Sequence, residues 1–125
     1  MGYRSDVTFA FYTRNQEAVP FAALKLWFDE NYPHSEATTE WEARIETGDG
    51  WITVEYRDVK WYPGYTHVDA VDRAVRTFID TFEANDKDNV AFEQVRVGEE
   101  TDDIEEDRTN YCDYLLSVRR EIYFG

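Results

Sequence analysis

The residues best able to do chemistry crowd into one stretch, "RVGEETDDIEEDRTNYC" (96–112), where seven of the nine residues from Glu99 to Asp107 are acidic. Calcium is the first chemistry to weigh, because a shell of carboxylate and carbonyl oxygens holds it. An EF-hand loop alternates acidic ligands, places a glycine midway and closes on a glutamate. Here Gly98 precedes the acids and the spacing fails. The stretch therefore reads as a solvated acidic loop (98–110), although Asp102, Asp103, Glu105 and Glu106 lie close enough in sequence to gather a cation weakly. The same carboxylates also suit recognition. A run of negative charge presented to a basic groove imitates the phosphates that groove expects, with Ile104, Tyr111 and Tyr114 as apolar anchors.

Other chemistries find less support. Zinc needs closely paired Cys and His ligands, whereas His34, His67 and Cys112 are scattered and single. Nothing beside Cys112 marks the oxyanion site a cysteine nucleophile would need. Glu40, Glu42 and Glu46 could supply a carboxylate pair for glycoside chemistry, but they alternate along a strand whose polar side faces water, where a raised pKa is hard to maintain. No glycine-rich phosphate loop and no G-x-S-x-G turn occurs. An RNA-binding sheet would carry aromatics with Arg and Lys, whereas the outward positions here hold Glu40, Glu42, Glu46 and Glu55. Trp61, Tyr62 and Tyr65 surround the turn in "VKWYPGYTHV" (59–68). They suit packing over the end of the core first, and an aromatic contact surface second.

The elements that must position these residues follow from periodicity. "DVTFAFYT" (6–13) alternates as a strand, and 17–33 carries Phe21, Leu24 and Phe28 at helical spacing, with Pro20 in its first turn and Pro33 closing it. "TEWEARIET" (39–47) and "WITVEYRDV" (51–59) form a hairpin through Gly48-Asp49-Gly50, with one charged, wet face. A second helix is capped by Thr66, with Asp69 as an acidic capping-box partner, and carries the stripe Val68, Val71, Val75, Phe78, Phe82. It ends in "ANDKDN" (84–89). Strands at 90–97 and 114–124 complete the chain, joined by the acidic stretch. The order predicts one α+β domain over 1–125: a ferredoxin-like βαββαβ unit with an added C-terminal strand, its antiparallel sheet carrying both helices on one face.

Composition bounds the partners. The 125 residues hold 27 Asp and Glu against 13 Lys and Arg, for a formal charge of −14, while 42% are hydrophobic and 17% aromatic. So much bulky apolar surface folds. So much negative charge repels phosphate backbones and anionic membranes and draws basic proteins or cations. The single Cys112 excludes an internal disulfide and fits a reducing compartment. The start of the chain resembles no signal peptide, Asp6 stands where myristoylation wants Ser or Thr, and no apolar run spans a membrane. A soluble, intracellular protein without cofactors is expected.

The opening "MGYRSDV", the run "VKWYPGY" before a helix, and "VAFEQVRVGEETDDIEE" before a final strand resemble a group of small, uncharacterised bacteriophage proteins. That resemblance covers most of the chain and brings no active residues. It implies a phage product in a bacterial host's cytoplasm, where small acidic proteins often inhibit host or defence proteins, anti-CRISPR and anti-restriction proteins among them. The expectation is a non-enzymatic inhibitor that occupies a basic, nucleic-acid-binding surface. It would bind through Glu99, Glu100, Asp102, Asp103, Glu105, Glu106 and Asp107, with Glu40, Glu42 and Glu46 second. The alternative is an oligomerising or regulatory phage module, a homodimer included, that binds through its aromatic surface.

Overall fold

In the computed structural model the described residues are 4–32, 43–62, 64–83, 89–100, 103–109, 112–118 and 122–124. Strand β1 (Ser5–Thr13) is the spine. Val7, Phe9 and Phe11 project to one side and Thr8, Ala10 and Tyr12 to the other, and all six are buried. A strand covered on both faces belongs in the middle of a sheet. β1 lies there, in a five-stranded antiparallel sheet of order β2-β3-β1-β4-β5. The partners are β2 (Ala43–Gly48), β3 (Trp51–Val59), β4 (Val90–Gly98) and β5 (Ile104–Arg108). Gly50, at φ +86°, makes the turn between β2 and β3, taking the left-handed conformation that the Gly-Asp-Gly sequence anticipates.

Helix α1 (Phe21–Asn31) begins one residue after Pro20, whose fixed φ suits the N-cap it occupies, and stops where the Tyr32 N–H bonds the Phe28 carbonyl. Helix α2 (Thr66–Phe78) runs on into a π turn, Ile79–Glu83. Its valine and phenylalanine stripe is buried as the periodicity predicts. The cap differs from expectation. Tyr65 is the N-cap residue and Thr66 already helical, while the Asp69 carboxylate accepts a hydrogen bond from the Gly64 N–H at 3.2 Å. Both helices pack Leu24, Trp27, Phe28, Val71, Val75 and Phe78 against Phe9, Phe11, Ile52, Val54, Tyr56 and Phe92 of the sheet. Phe11 touches the rings of Trp27, Phe28, Tyr32, Phe78 and Phe92. Truncating such a ring to alanine costs about 3–5 kcal/mol. Inside this core the Tyr32 and Tyr56 hydroxyls satisfy each other at 2.5 Å, and burial pushes Tyr56 up to about 12.

The last third corrects the sequence expectation twice. The acidic stretch is not wholly a loop: Gly98 and Asp103 close a short connection, N–H to carbonyl at 2.8 Å, and residues 104–108 return as the edge strand β5. The edge place foreseen for 114–124 is thereby taken. That segment instead holds two short strands paired with each other, β6 (Leu116–Val118) and β7 (Ile122–Phe124). They bear on the sheet face opposite the helices, where Ala10, Tyr12, Ala91, Val95 and Leu116 form a second small core, flanked by Trp51 and Ile122. The face expected to be open and charged is therefore covered over part of its width. No helix among the described residues is long and apolar enough to cross a membrane.

Candidate functional site

Strand alternation sorts the acids of β5. Glu105 pairs with Arg96, and Asp107 with Gln94, which itself lies opposite Phe9, so Glu105 and Asp107 face the helix side. Ile104, Glu106 and Arg108 face the C-terminal hairpin, opposite Val97, Val95 and Glu93. The two faces have different electrostatics.

On the hairpin face sits Glu93, with 0% of its surface exposed. Four donors meet its carboxylate: the Tyr12 hydroxyl at 2.5 Å and Leu115 N–H at 2.8 Å on Oε2, and Arg108 Nε at 2.9 Å and Leu116 N–H at 3.2 Å on Oε1. Burial alone would raise its pKa, but the Tyr12, Leu115, Arg108 and Leu116 bonds favour the ionised form and hold it below the ordinary value. Arg108 also donates to Glu106 and to the Leu116 carbonyl, each at 2.8 Å, and its guanidinium lies 5.0 Å from the Tyr114 ring centroid. Burial likewise raises the Tyr12 hydroxyl far above its ordinary pKa. The knot ties β1, β4 and β5 to the chain at 113–116. In the sequence, its only signs are a lone Glu inside the apolar run 90–97 and a lone Arg at the end of the acidic run.

The helix face differs because the helices stop short of β5. Between α2 and the β4–β5 ladder lies a groove of about 450 Å³, its far wall formed by Gln94, Arg96, Glu105 and Asp107, its near wall by Val68 and Asp72, and one end by Trp61 and Tyr62. A bulge places those rings. The β1–β3 register slips between Ser5 and Val7, Asp58 takes φ 54°, and the chain turns so that Trp61 packs 5.6 Å from both Phe9 and Tyr56. Trp61 and Tyr62 are half-buried, and Tyr65 is exposed at the flank.

Arginines within the molecule neutralise part of the acidic wall. Arg96 bonds Asp103 at 2.8 Å, Glu105 at 2.6 Å and the Ser5 hydroxyl at 2.9 Å. Burial opposes its charge, but the two carboxylates outweigh that and raise its pKa. Asp72 and Asp107 are different: neither side chain forms a hydrogen bond or ion pair with any described residue. Partial burial, then the charge of Asp69 and, more weakly, that of Asp107 raise the Asp72 pKa, with Arg76 opposing. Two carboxylates face one cavity with no ion pair to a described residue, Arg76 acting on Asp72 through its charge alone.

Of the residues expected to bind a partner, Glu105, Asp107 and Asp103 come together along the groove, whereas Glu106, which also borders it, turns its carboxylate to Arg108 on the hairpin face. Glu99 and Glu100 lie exposed at its loop end, Glu99 accepting the Arg4 N–H at 2.7 Å. Glu46 is not brought to this site. It lies on the opposite face, paired with Arg44 at 3.0 Å, in a separate cavity of about 220 Å³ with Thr8, Thr53 and Glu55. Glu40, Glu42, Asp102, His34 and Tyr111 lie outside the described residues. Asp72, which sequence reading missed, enters the site because α2 and β5 border the same groove. Among the described residues no three His, Cys, Asp or Glu side chains gather as a metal centre would require. No family model, curated protein or solved structure matches the chain.

Proposed function

We propose that this chain is a non-enzymatic phage protein, made in a bacterial host's cytoplasm, that inhibits a host or defence protein by occupying a basic, nucleic-acid-binding surface. Its sheet order, β4-β1-β3-β2 over the first four strands, supports a ferredoxin-like unit extended by β5. The observation that carries the functional reading is the groove beside β5, where Asp72 and Asp107 present carboxylates that form no ion pair with a described residue, on a chain of charge −14. A basic protein surface meets such a wall with favourable steering, and Trp61 and Tyr62 add apolar contact at its end. The alternative, self-association through the aromatic turn, has less to work with, since Trp61 is tucked against Phe9 and Tyr56.

Affinity capture from bacterial lysate, followed by a nucleic-acid competition assay on the captured protein, tests this reading. The proposal expects capture that weakens at high salt, displacement of nucleic acid from the captured protein, and loss of both in Asp72→Lys/Asp107→Lys. Capture that is insensitive to salt and to the double variant would overturn it.

A further inference from the structure

We infer that the groove between α2 and the β4–β5 ladder is a receptor for an arginine side chain of the partner, gripped by Asp72 and Asp107 beside the rings of Trp61 and Tyr62. The inference rests on the proposed basic partner and specifies which cation that partner must supply. Three observations select a guanidinium. The first is charge: neither Asp72 nor Asp107 forms a hydrogen bond or ion pair with a described residue, and Arg76 acts on Asp72 through its charge alone, while Arg96 in the same wall is already engaged by Asp103 and Glu105.

The second is the character and size of the cavity. A bare metal ion wants a compact shell of oxygens, and the groove, at about 450 Å³, is far larger than one water's share of about 30 Å³. Its end is aromatic and Val68 is buried in its wall. An ammonium is strongly hydrated and gains little from such surfaces, whereas a guanidinium is weakly hydrated, stacks on rings and forks onto carboxylates.

The third observation is a precedent inside the molecule. On the other face of the same ladder, Arg108 bonds the Glu93 and Glu106 carboxylates and lies over the Tyr114 ring. The groove offers the same combination of acids and aromatic rings, and the arginine that lines it, Arg96, bonds Asp103 and Glu105 rather than Asp72 or Asp107.

The test uses the full chain with tetra-arginine and tetra-lysine peptides of equal charge, titrated by calorimetry and by NMR of the Trp61 indole N–H. The structure predicts that tetra-arginine binds about tenfold more tightly, the worth of one good charge-assisted contact, and shifts the Trp61 signal. Asp72→Asn/Asp107→Asn should erase that preference while keeping a native spectrum. Glu17→Gln/Glu30→Gln, which removes equal charge from exposed positions outside the groove, should retain it. Equal affinity for both peptides, or equal loss in the two double variants, would overturn the arginine receptor and leave a merely acidic surface for the partner. If neither peptide bound in a salt-sensitive way, the basic-partner proposal would fail as well.

Discussion

Glu93 and Asp72 are both carboxylates beside the β4–β5 ladder, one on each face, and their surroundings treat them in opposite ways. Glu93 is sealed from water and meets four donors, so its charge is fully compensated and its pKa held down. Asp72 borders an open groove beside other acids, and its pKa is pushed up. A compensated carboxylate holds the fold together. An uncompensated one opposes folding slightly and remains available to an outside cation. Net charge alone does not separate the two cases; the partners do.

The largest effect expected from breaking this contrast is on stability. Arg108→Ala leaves Glu93 ionised, buried and short of a partner, and should cost about 3–5 kcal/mol in denaturant unfolding. The same variant should expose the amides of Leu115 and Leu116 to hydrogen exchange before those of β1, because the knot is what ties that segment down. If Arg108→Ala unfolds with wild-type midpoint and slope, the knot contributes nothing and the contrast collapses.

Acid sharpens the same difference with opposite signs. Glu93 has a lower pKa folded than unfolded, so its contribution is complete above the ordinary glutamate value of about 4.3 and is lost as pH falls through the folded value. Asp72 has a higher pKa folded, so its ionised form disfavours the fold near neutrality and the penalty lifts as pH falls through that raised value. Acid titration of Asp72→Asn should show the wild type gaining on the variant as the medium is acidified, before the loss at Glu93 dominates both.

A smaller change is expected at Tyr114, which is 68% exposed beneath Arg108. Tyr114→Ala should cost about 0.5–1 kcal/mol, the value of an exposed cation–π contact. Smallest of all, Asp72→Asn at neutral pH should be neutral or stabilising within about 0.5 kcal/mol, as for other surface changes. A clear destabilisation by Asp72→Asn would make that residue structural and remove it from the site.

Local patterns made much of the fold legible. Val7, Phe9 and Phe11 announced β1, the Gly48–Gly50 turn announced the hairpin, and the stripe from Val68 to Phe82 announced α2. The acidic strand was hidden because Glu and Asp are poor strand formers. Its pairing with β4 is sustained by Arg96 and Arg108, contacts that no local window contains. Glu93 likewise looks like a defect in an apolar run until the Tyr12 hydroxyl and the 115–116 amides arrive from distant parts of the chain. The candidate site was half legible: the acids of β5 stood out as a run. Their division between two faces, and the entry of Asp72 beside Asp107, come from sheet alternation and helix placement.

The most direct test is residue-specific carboxyl ¹³C NMR titration of the full chain with and without tetra-arginine. Glu93 should titrate below and Asp72 above the ordinary carboxylate range in the free protein, with the peptide lowering Asp72 and leaving Glu93 unmoved. An Asp72 that titrates at or below the ordinary range without peptide, or is unaffected by it, would contradict the claim that the groove holds charge in reserve for a partner.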